Sequence, residues 1–152
     1  MKHTFVFLLL LLCGWQNMRG QSWIDQLRSA DQQESQGHWQ EAADLYTVVI
    51  NTTPDETAKM ECLQHRASCY KRLDIYDRSQ ADYEAVLRMT KDSVLRAVVA
   101  YNMSDLLIQT GQYDRAISLL KDIRLKNSEQ EYRRLANLAT AYAYSGQDDK
   151  AL

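Results

Sequence analysis

A single proline, Pro54, and five glycines are all the sequence offers of the two strongest turn formers in 152 residues. An all-β chain needs a turn signal every ~10 residues, so a sandwich or barrel is excluded. Short helices joined by short loops tolerate this scarcity. Excess positive charge is lacking too. The formal net charge is −2, and without residues 1–20 the chain carries 16 basic against 20 acidic side chains. Phosphate binding draws on clustered Lys and Arg, so no nucleic-acid partner is expected. Catalytic signatures are also missing. The chain has no Gly-x-Ser-x-Gly elbow, no phosphate-cradling glycine loop and no His-Glu-x-x-His pair. His38 and His65 read as surface residues, and the adjacent Asp148 and Asp149 as a solvated corner. The expectation is a chain that is not an enzyme and takes no cofactor or metal.

Long apolar runs are nearly absent. The exception spans Phe5 to Cys13 and holds only Phe, Val, Leu and Cys, with Lys2 and His3 before it. A polar stretch, Gln16-Asn17-Met18-Arg19-Gly20, follows. A basic start, a short apolar centre and a small residue before the mature chain make a secretory signal. The run is too short to cross a bilayer, which takes about 20 residues. Residues 1–20 are therefore expected to be a signal peptide cut between Gly20 and Gln21, with the product exported to the periplasm or cell envelope. Lipidation at Cys13 is the less favoured alternative, because Leu12 stands where the bacterial lipidation box has a small residue. Cys62 and Cys69 remain. Seven residues along a helix separate two Cα atoms by about 10.5 Å. A disulfide needs about 7 Å or less. Two free, buried thiols are expected.

What the sequence has is internal repetition. Gly37-His38-Trp39-Gln40-Glu41-Ala42 followed by Tyr46 matches Gly111-Gln112-Tyr113-Asp114-Arg115-Ala116 followed by Leu120. Asp74-Ile75-Tyr76-Asp77-Arg78-Ser79 followed by Tyr83 is a third copy, and Gly146-Gln147-Asp148-Asp149-Lys150-Ala151 begins a fourth. Successive corners lie 37, 37 and 35 residues apart. Upstream of each corner the spacing is that of one helix face. Leu63, Arg66, Ala67 and Tyr70 precede Asp74; Ala100, Met103, Ser104 and Leu107 precede Gly111; Leu135, Leu138, Ala139 and Tyr142 precede Gly146. Downstream the period resumes through Ala42, Leu45, Tyr46, Val49 and Ile50, and through Ala116, Leu119, Leu120 and Ile123. Each unit therefore reads as two amphipathic helices around a tight corner. Small residues at 67, 104 and 139 let the helices approach. Trp39, Tyr76 and Tyr113 cap the seam, and Tyr113, Ala116 and Leu120 are expected inside copy three. Helix starts are marked by Thr53-Pro54-Asp55-Glu56, by Asp92-Ser93 and by Ser128-Glu129-Gln130-Glu131.

This pattern resembles the tetratricopeptide repeat (TPR), with its Trp-x2-Leu-Gly-x2-Tyr, Ala-x3-Phe and Pro signature and a period of about 34 residues. The likeness is to exported bacterial-type members and covers nearly all of residues 22–152. It implies an all-α, TPR-like α-solenoid of antiparallel helix hairpins. The copies fall at about 23–54, 55–91 and 92–127, with a truncated fourth at 128–152, inside a repeat domain of 21–152. Departures exist. Ser79 replaces the small Ala, and Lys91 stands where Pro would end the unit. Gln26, Ser29 and Gln33 make the first helix polar, as an end cap would be. The sequence stops as the second helix of copy four begins, so a longer natural protein is expected.

The resemblance also implies a function. Family members bind proteins or peptides in a concave groove lined by their first helices. Carried over by register, the groove positions are Glu61, Gln64, Ser68, Lys71 and Arg72 in copy two. In copy three they are Tyr101, Asn102, Asp105 and Gln109, and in copy four Arg133, Asn137, Thr140 and Tyr144. Asn102 and Asn137 stand where the family often uses Asn on a peptide backbone. The family's chaperone-tail clamp is not expected, because Gln64 and Tyr101 replace its Lys, and Ser68 and Asp105 replace its Asn. The expected role is an exported protein-interaction scaffold that binds a peptide or helix. The alternatives are the extracytoplasmic sensor of a longer membrane signalling protein and the docking arm of a missing catalytic domain.

Overall fold

The computed structural model describes residues 22–146. The signal segment 1–20 with Cys13, and the Asp148-Asp149 and Ala151 positions of copy four, lie outside the described residues. Within them are seven helices and no strand: α1 (residues 22–35), α2 (Trp39–Thr52), α3 (Glu56–Arg72), α4 (Tyr76–Met89), α5 (Ser93–Gln109), α6 (Tyr113–Leu120) and α7 (Ser128–Tyr144). The chain divides into two compact units between Cys69 and Tyr70, inside α3.

The corners explain the hairpins. Gly37, Gly111 and Gly146 have φ of 79°, 72° and 77°, and Asp74 has φ of 59°. All four lie in the left-handed region, where a Cβ is penalised and Asp is among the better tolerated side chains. The hydrogen bonding repeats as well. His38 N–H donates to Gln33 O, Ile75 N–H to Tyr70 O and Gln112 N–H to Leu107 O, each bond reaching back five residues. Beside them Gly37 N–H donates to Glu34 O, Asp74 N–H to Lys71 O and Gly111 N–H to Ile108 O. This pair of bonds satisfies carbonyls that a helix end would otherwise leave bare, and it reverses the chain within two residues. At Asp74 the carboxylate accepts the Tyr76 hydroxyl at 2.6 Å. That bond holds the strained residue and shifts the Tyr76 phenol upward.

Helix starts follow a local rule, displaced from the expected residues in two of three cases. Asp92 caps α5 as expected, accepting from the backbone N–H of Val94 and Leu95. At α3 the cap is Asp55, not Thr53. Asp55 accepts from Thr57 N–H and Ala58 N–H, while the Thr53 hydroxyl accepts from Asp55 N–H. Thr90 repeats this role for Asp92 at the same 3.1 Å. At α7 the cap is Asn127, not Ser128, accepting from Gln130 N–H at 3.0 Å. In each case the cap is the residue whose side-chain oxygen stands two or three positions before a free first-turn N–H.

The first unit buries Ala30, Ala42, Ala43, Tyr46, Val49, Cys62, Ala67 and Cys69 completely. Leu45 and Ile50, expected on the same stripe, are half-buried. In the second unit α5 packs against α4, α6 and α7, and α6 against α7. Val86, Val99, Leu106, Leu107, Ala116 and Leu120 are fully buried there. Burying a side chain of Val or Leu size stabilises by about 1.5–3 kcal/mol. Tyr113 is only half-buried; its ring stacks on the exposed Tyr144 at 5.4 Å between centroids. Ser104 is fully enclosed, as a small seam residue should be, while Leu135 stays 50% exposed.

One helix breaks the repeat. α2 and α4 each run 14 residues, but α6 runs 8. The register predicted that Ile123 would continue its stripe; instead Ile123 lies beyond the helix end. Arg134 of α7, 1% exposed, meets the helix at this end. Its Nη1 donates to Leu120 O at 2.7 Å and so occupies the carbonyl of the last α6 residue. Two further bonds, at 2.9 and 2.8 Å, fix its guanidinium on Glu131. Glu131 in turn accepts from Leu125 N–H at 2.9 Å. Residues 123–125 are thus pinned outside the helix.

Candidate functional site

The expected groove residues fall in both units and are taken unit by unit. In the first unit Gln64 and Ser68 are half-buried on α3, and the Gln64 amide donates to Met60 O of its own helix at 3.3 Å. Glu61 is exposed.

In the second unit the first helices contribute a connected row. Lys71 Nζ of α3 lies 3.2 Å from Asp105 Oδ2 of α5. The Asn137 amide of α7 donates to Asp105 Oδ1 and, at 3.0 Å, to the Ser104 hydroxyl. That hydroxyl donates to Tyr101 O at 2.7 Å. Lys71, Asp105 and Asn137 thus join three consecutive first helices through one carboxylate. Arg133 is paired with Glu129 at 2.8 Å; that carboxylate, with Tyr101 as a lesser contributor, holds the guanidinium above its ordinary pKa. Asn102 and Tyr101 are half-buried, and Arg72, Gln109 and Tyr144 are exposed. Asn137 therefore reaches a ligand only by giving up two existing partners, whereas Arg72 and Tyr144 already present much of their surface to solvent.

The structure adds a cluster the sequence reading missed. Tyr46 of α2 is fully buried, and its hydroxyl lies 2.8 Å from Asp31 Oδ1 and 2.6 Å from Glu34 Oε2, both on α1. One hydroxyl proton serves one carboxylate at a time. Glu34 Oε2 also meets His65 Nδ1 at 2.8 Å, and the His65 ring stacks on Tyr46 at 5.4 Å. Burial, aided by the two carboxylates, pushes the Tyr46 phenol far up. His65, read from sequence as decoration, belongs to this cluster. The available signal was Asp31 and Glu34 three residues apart on an otherwise polar helix. Cys62 and Cys69 are free and buried. Burial lifts their thiols to about 11 and about 12, which suits packing rather than nucleophilic work. Among the described residues no three His, Cys, Asp or Glu side chains gather to hold a metal, and no helix is long and apolar enough to cross a membrane.

Comparison with known proteins now bears on this geometry. The family model of Intraflagellar transport protein 56, a family that contains tetratricopeptide repeats, matches residues 10–103. The chain belongs to this family. As a member of the Intraflagellar transport protein 56 family it is a TPR-type repeat protein, and the region matched includes the corners at Gly37 and Asp74. No curated protein matches the chain. Among solved structures, "MamA RS-1 ArsTM double mutant" is similar with a TM-score of 0.72 at 16% identity, over 88% of this chain and 69% of that one. "Crystal structure of BtubC (BKLC) from P. vanneervenii" also gives 0.72 at 16% identity, over 83% of this chain and 57% of that one. "MamA MSR-1 C2" gives 0.67 at 20% identity, over 86% and 71%. At such identities the likeness concerns the fold, an all-α TPR-like solenoid. Repeats of this type are typically interaction scaffolds without catalysis.

Proposed function

We propose that this family member is an exported scaffold that binds a protein segment, peptide or helix, on the face of its first helices. The observation that carries the reading is the row of Lys71, Asp105 and Asn137 on α3, α5 and α7. Charged and amide groups recur in register on this face, with Arg72, Tyr101 and Tyr144 beside them. Arg and Tyr are common hot spots of protein interfaces. The partner is a protein or peptide and not a nucleic acid. Export would proceed through residues 1–20, with lipid on Cys13 as the alternative anchor. A partner recovered from the exported fraction tests the site. Arg72→Ala and Tyr101→Ala should each weaken binding by more than about 1 kcal/mol, the usual hot-spot threshold. Asp44→Ala and Lys121→Ala, on exposed positions of α2 and just after α6, should change it little. Larger effects from the second pair would move the binding face.

The family match favours a second reading. It begins at residue 10, inside the apolar run assigned to export. On this reading the chain keeps its first residues and serves as an interaction scaffold in transport within flagella, as the family's name describes. N-terminal mass mapping separates the two: a mature chain that begins at Gln21 supports export, and an intact Leu8–Leu12 segment supports the second.

A further inference from the structure

The early end of α6 leaves a cavity. It measures about 520 Å³ and lies between the start of α5 and the 121–127 connection. Its walls are Val94, Ala97 and Val98 of α5, with Ile123 and Leu125 of the connection. In register with α4, helix would continue here; instead α6 ends at Leu120, whose carbonyl accepts from Arg134. A volume between about 300 and 1,000 Å³ is typical of ligand pockets, and leaves ample room for one large side chain. Val94 remains 50% exposed on the rim, an apolar residue at the mouth of an apolar space.

The rim supplies the charge. Lys126 and Arg124 line the opening, against one carboxylate, Asp122; both cations are exposed, although Arg124 Nη1 donates to the carbonyl of Ile123 at 2.7 Å. Arg96 also lines it, but its Nη1 donates to the carbonyls of Leu87 and Thr90, which ties it to the wall. At the two adjoining helix starts Asp92 takes the Val94 and Leu95 N–H groups and Asn127 takes that of Gln130. The exposed side-chain cations of the rim set the electrostatic preference.

We propose that this cavity is a second docking site, for an acidic peptide segment. One large aliphatic or aromatic side chain of the segment enters against Val94, Ile123 and Leu125. Its flanking carboxylates meet Arg124 and Lys126. The site shares no residue with the Lys71, Asp105 and Asn137 row, so it stands or falls separately from that row.

The test uses the whole chain and a short fluorescein-labelled peptide with a central Phe flanked by Glu and Asp, read by anisotropy. Two control peptides replace the Phe by Ser or the acids by Lys. The acidic Phe peptide should bind tightest. Joint Arg124→Glu and Lys126→Glu should weaken it about tenfold or more, as reversed charge at a complementary rim does. Val94→Asp should weaken it similarly, and Tyr101→Ala by less than about twofold. These positions are exposed or half-buried, so the variants should keep the wild-type circular dichroism. Methyl resonances of Ile123 and Leu125 should shift on titration, which a diffuse charge effect would not produce. Equal binding of the lysine-flanked peptide, or no loss on charge reversal, overturns the proposal. So does sedimentation showing a dimer that the double reversal dissociates, since a second copy would then be the occupant.

Discussion

Between residues 22 and 69 the chain carries 3 basic and 8 acidic side chains; between 70 and 146 it carries 12 and 10. The first unit is acidic; Asp25 pairs with Arg28 at its exposed surface, and around its core two carboxylates settle on a neutral group. The buried Tyr46 hydroxyl meets Asp31 and Glu34, and an imidazole covers one of them. The second unit uses full charges instead. Arg134 is buried against Glu131, Arg115 pairs with Glu84 at 2.7 Å, and Lys71 with Asp105. Both units nevertheless make the same corner, the same reach-back bond and the same caps. The comparison teaches that hairpin geometry is carried by backbone hydrogen bonds and small seam residues. Electrostatics is laid over it and free to differ.

The largest expected effect lies in the second unit. Glu131→Gln leaves the buried Arg134 cation without its counter-charge; with Glu131 itself half-buried and the amide still accepting one bond, the loss should be about 2–3 kcal/mol. Urea denaturation would measure the loss, and hydrogen exchange should place it in α6 and α7. The same pair gives a pH signature. The Arg134 guanidinium lowers the Glu131 carboxyl to about 2. A depressed carboxylate contributes stability that is complete above its unfolded value of about 4.3 and is lost as pH falls toward 2. Wild type should weaken across that interval, and Glu131→Gln should flatten the slope.

A smaller effect is expected in the first unit. Tyr46→Phe removes one neutral donor from two carboxylates, at a cost of about 1–2 kcal/mol. The ring and its burial are kept, so the measurement isolates the hydroxyl. If Tyr46→Phe proved as damaging as Glu131→Gln, the contrast between a neutral and a charged way of holding carboxylates would collapse.

The smallest effect tests what the units share. Gly111 has open space where a Cβ would stand, so Gly111→Ala meets no clash and pays only for its left-handed φ of 72°, about 1 kcal/mol. Asp74→Gly relieves the same strain but loses the Tyr76 bond and adds unfolded-chain entropy, so the net change should stay below about 0.5 kcal/mol. Thermal melts would resolve the first and barely the second. A large loss at Asp74 would mean that its corner does more than turn the chain.

The sequence alone determined the repeat. Corners at 37, 74, 111 and 146 and a cap at Asp92 were legible because each rests on bonds between residues within about five positions, and the small residues sealed at 67 and 104 because they recur in register on one helix face. The first-helix face was legible as a set of positions, through register, but not as the linked row of Lys71, Asp105 and Asn137. Tertiary structure decided that row, the Tyr46 cluster and the halt of α6 at Leu120. Arg134 reaches a carbonyl 14 positions earlier, and Asn137 a carboxylate 32 positions earlier. Periodicity states which face a side chain occupies, but not which atom of a neighbouring helix comes within hydrogen-bond reach. That is a matter of a few tenths of an ångström, and it is settled only when the helices pack.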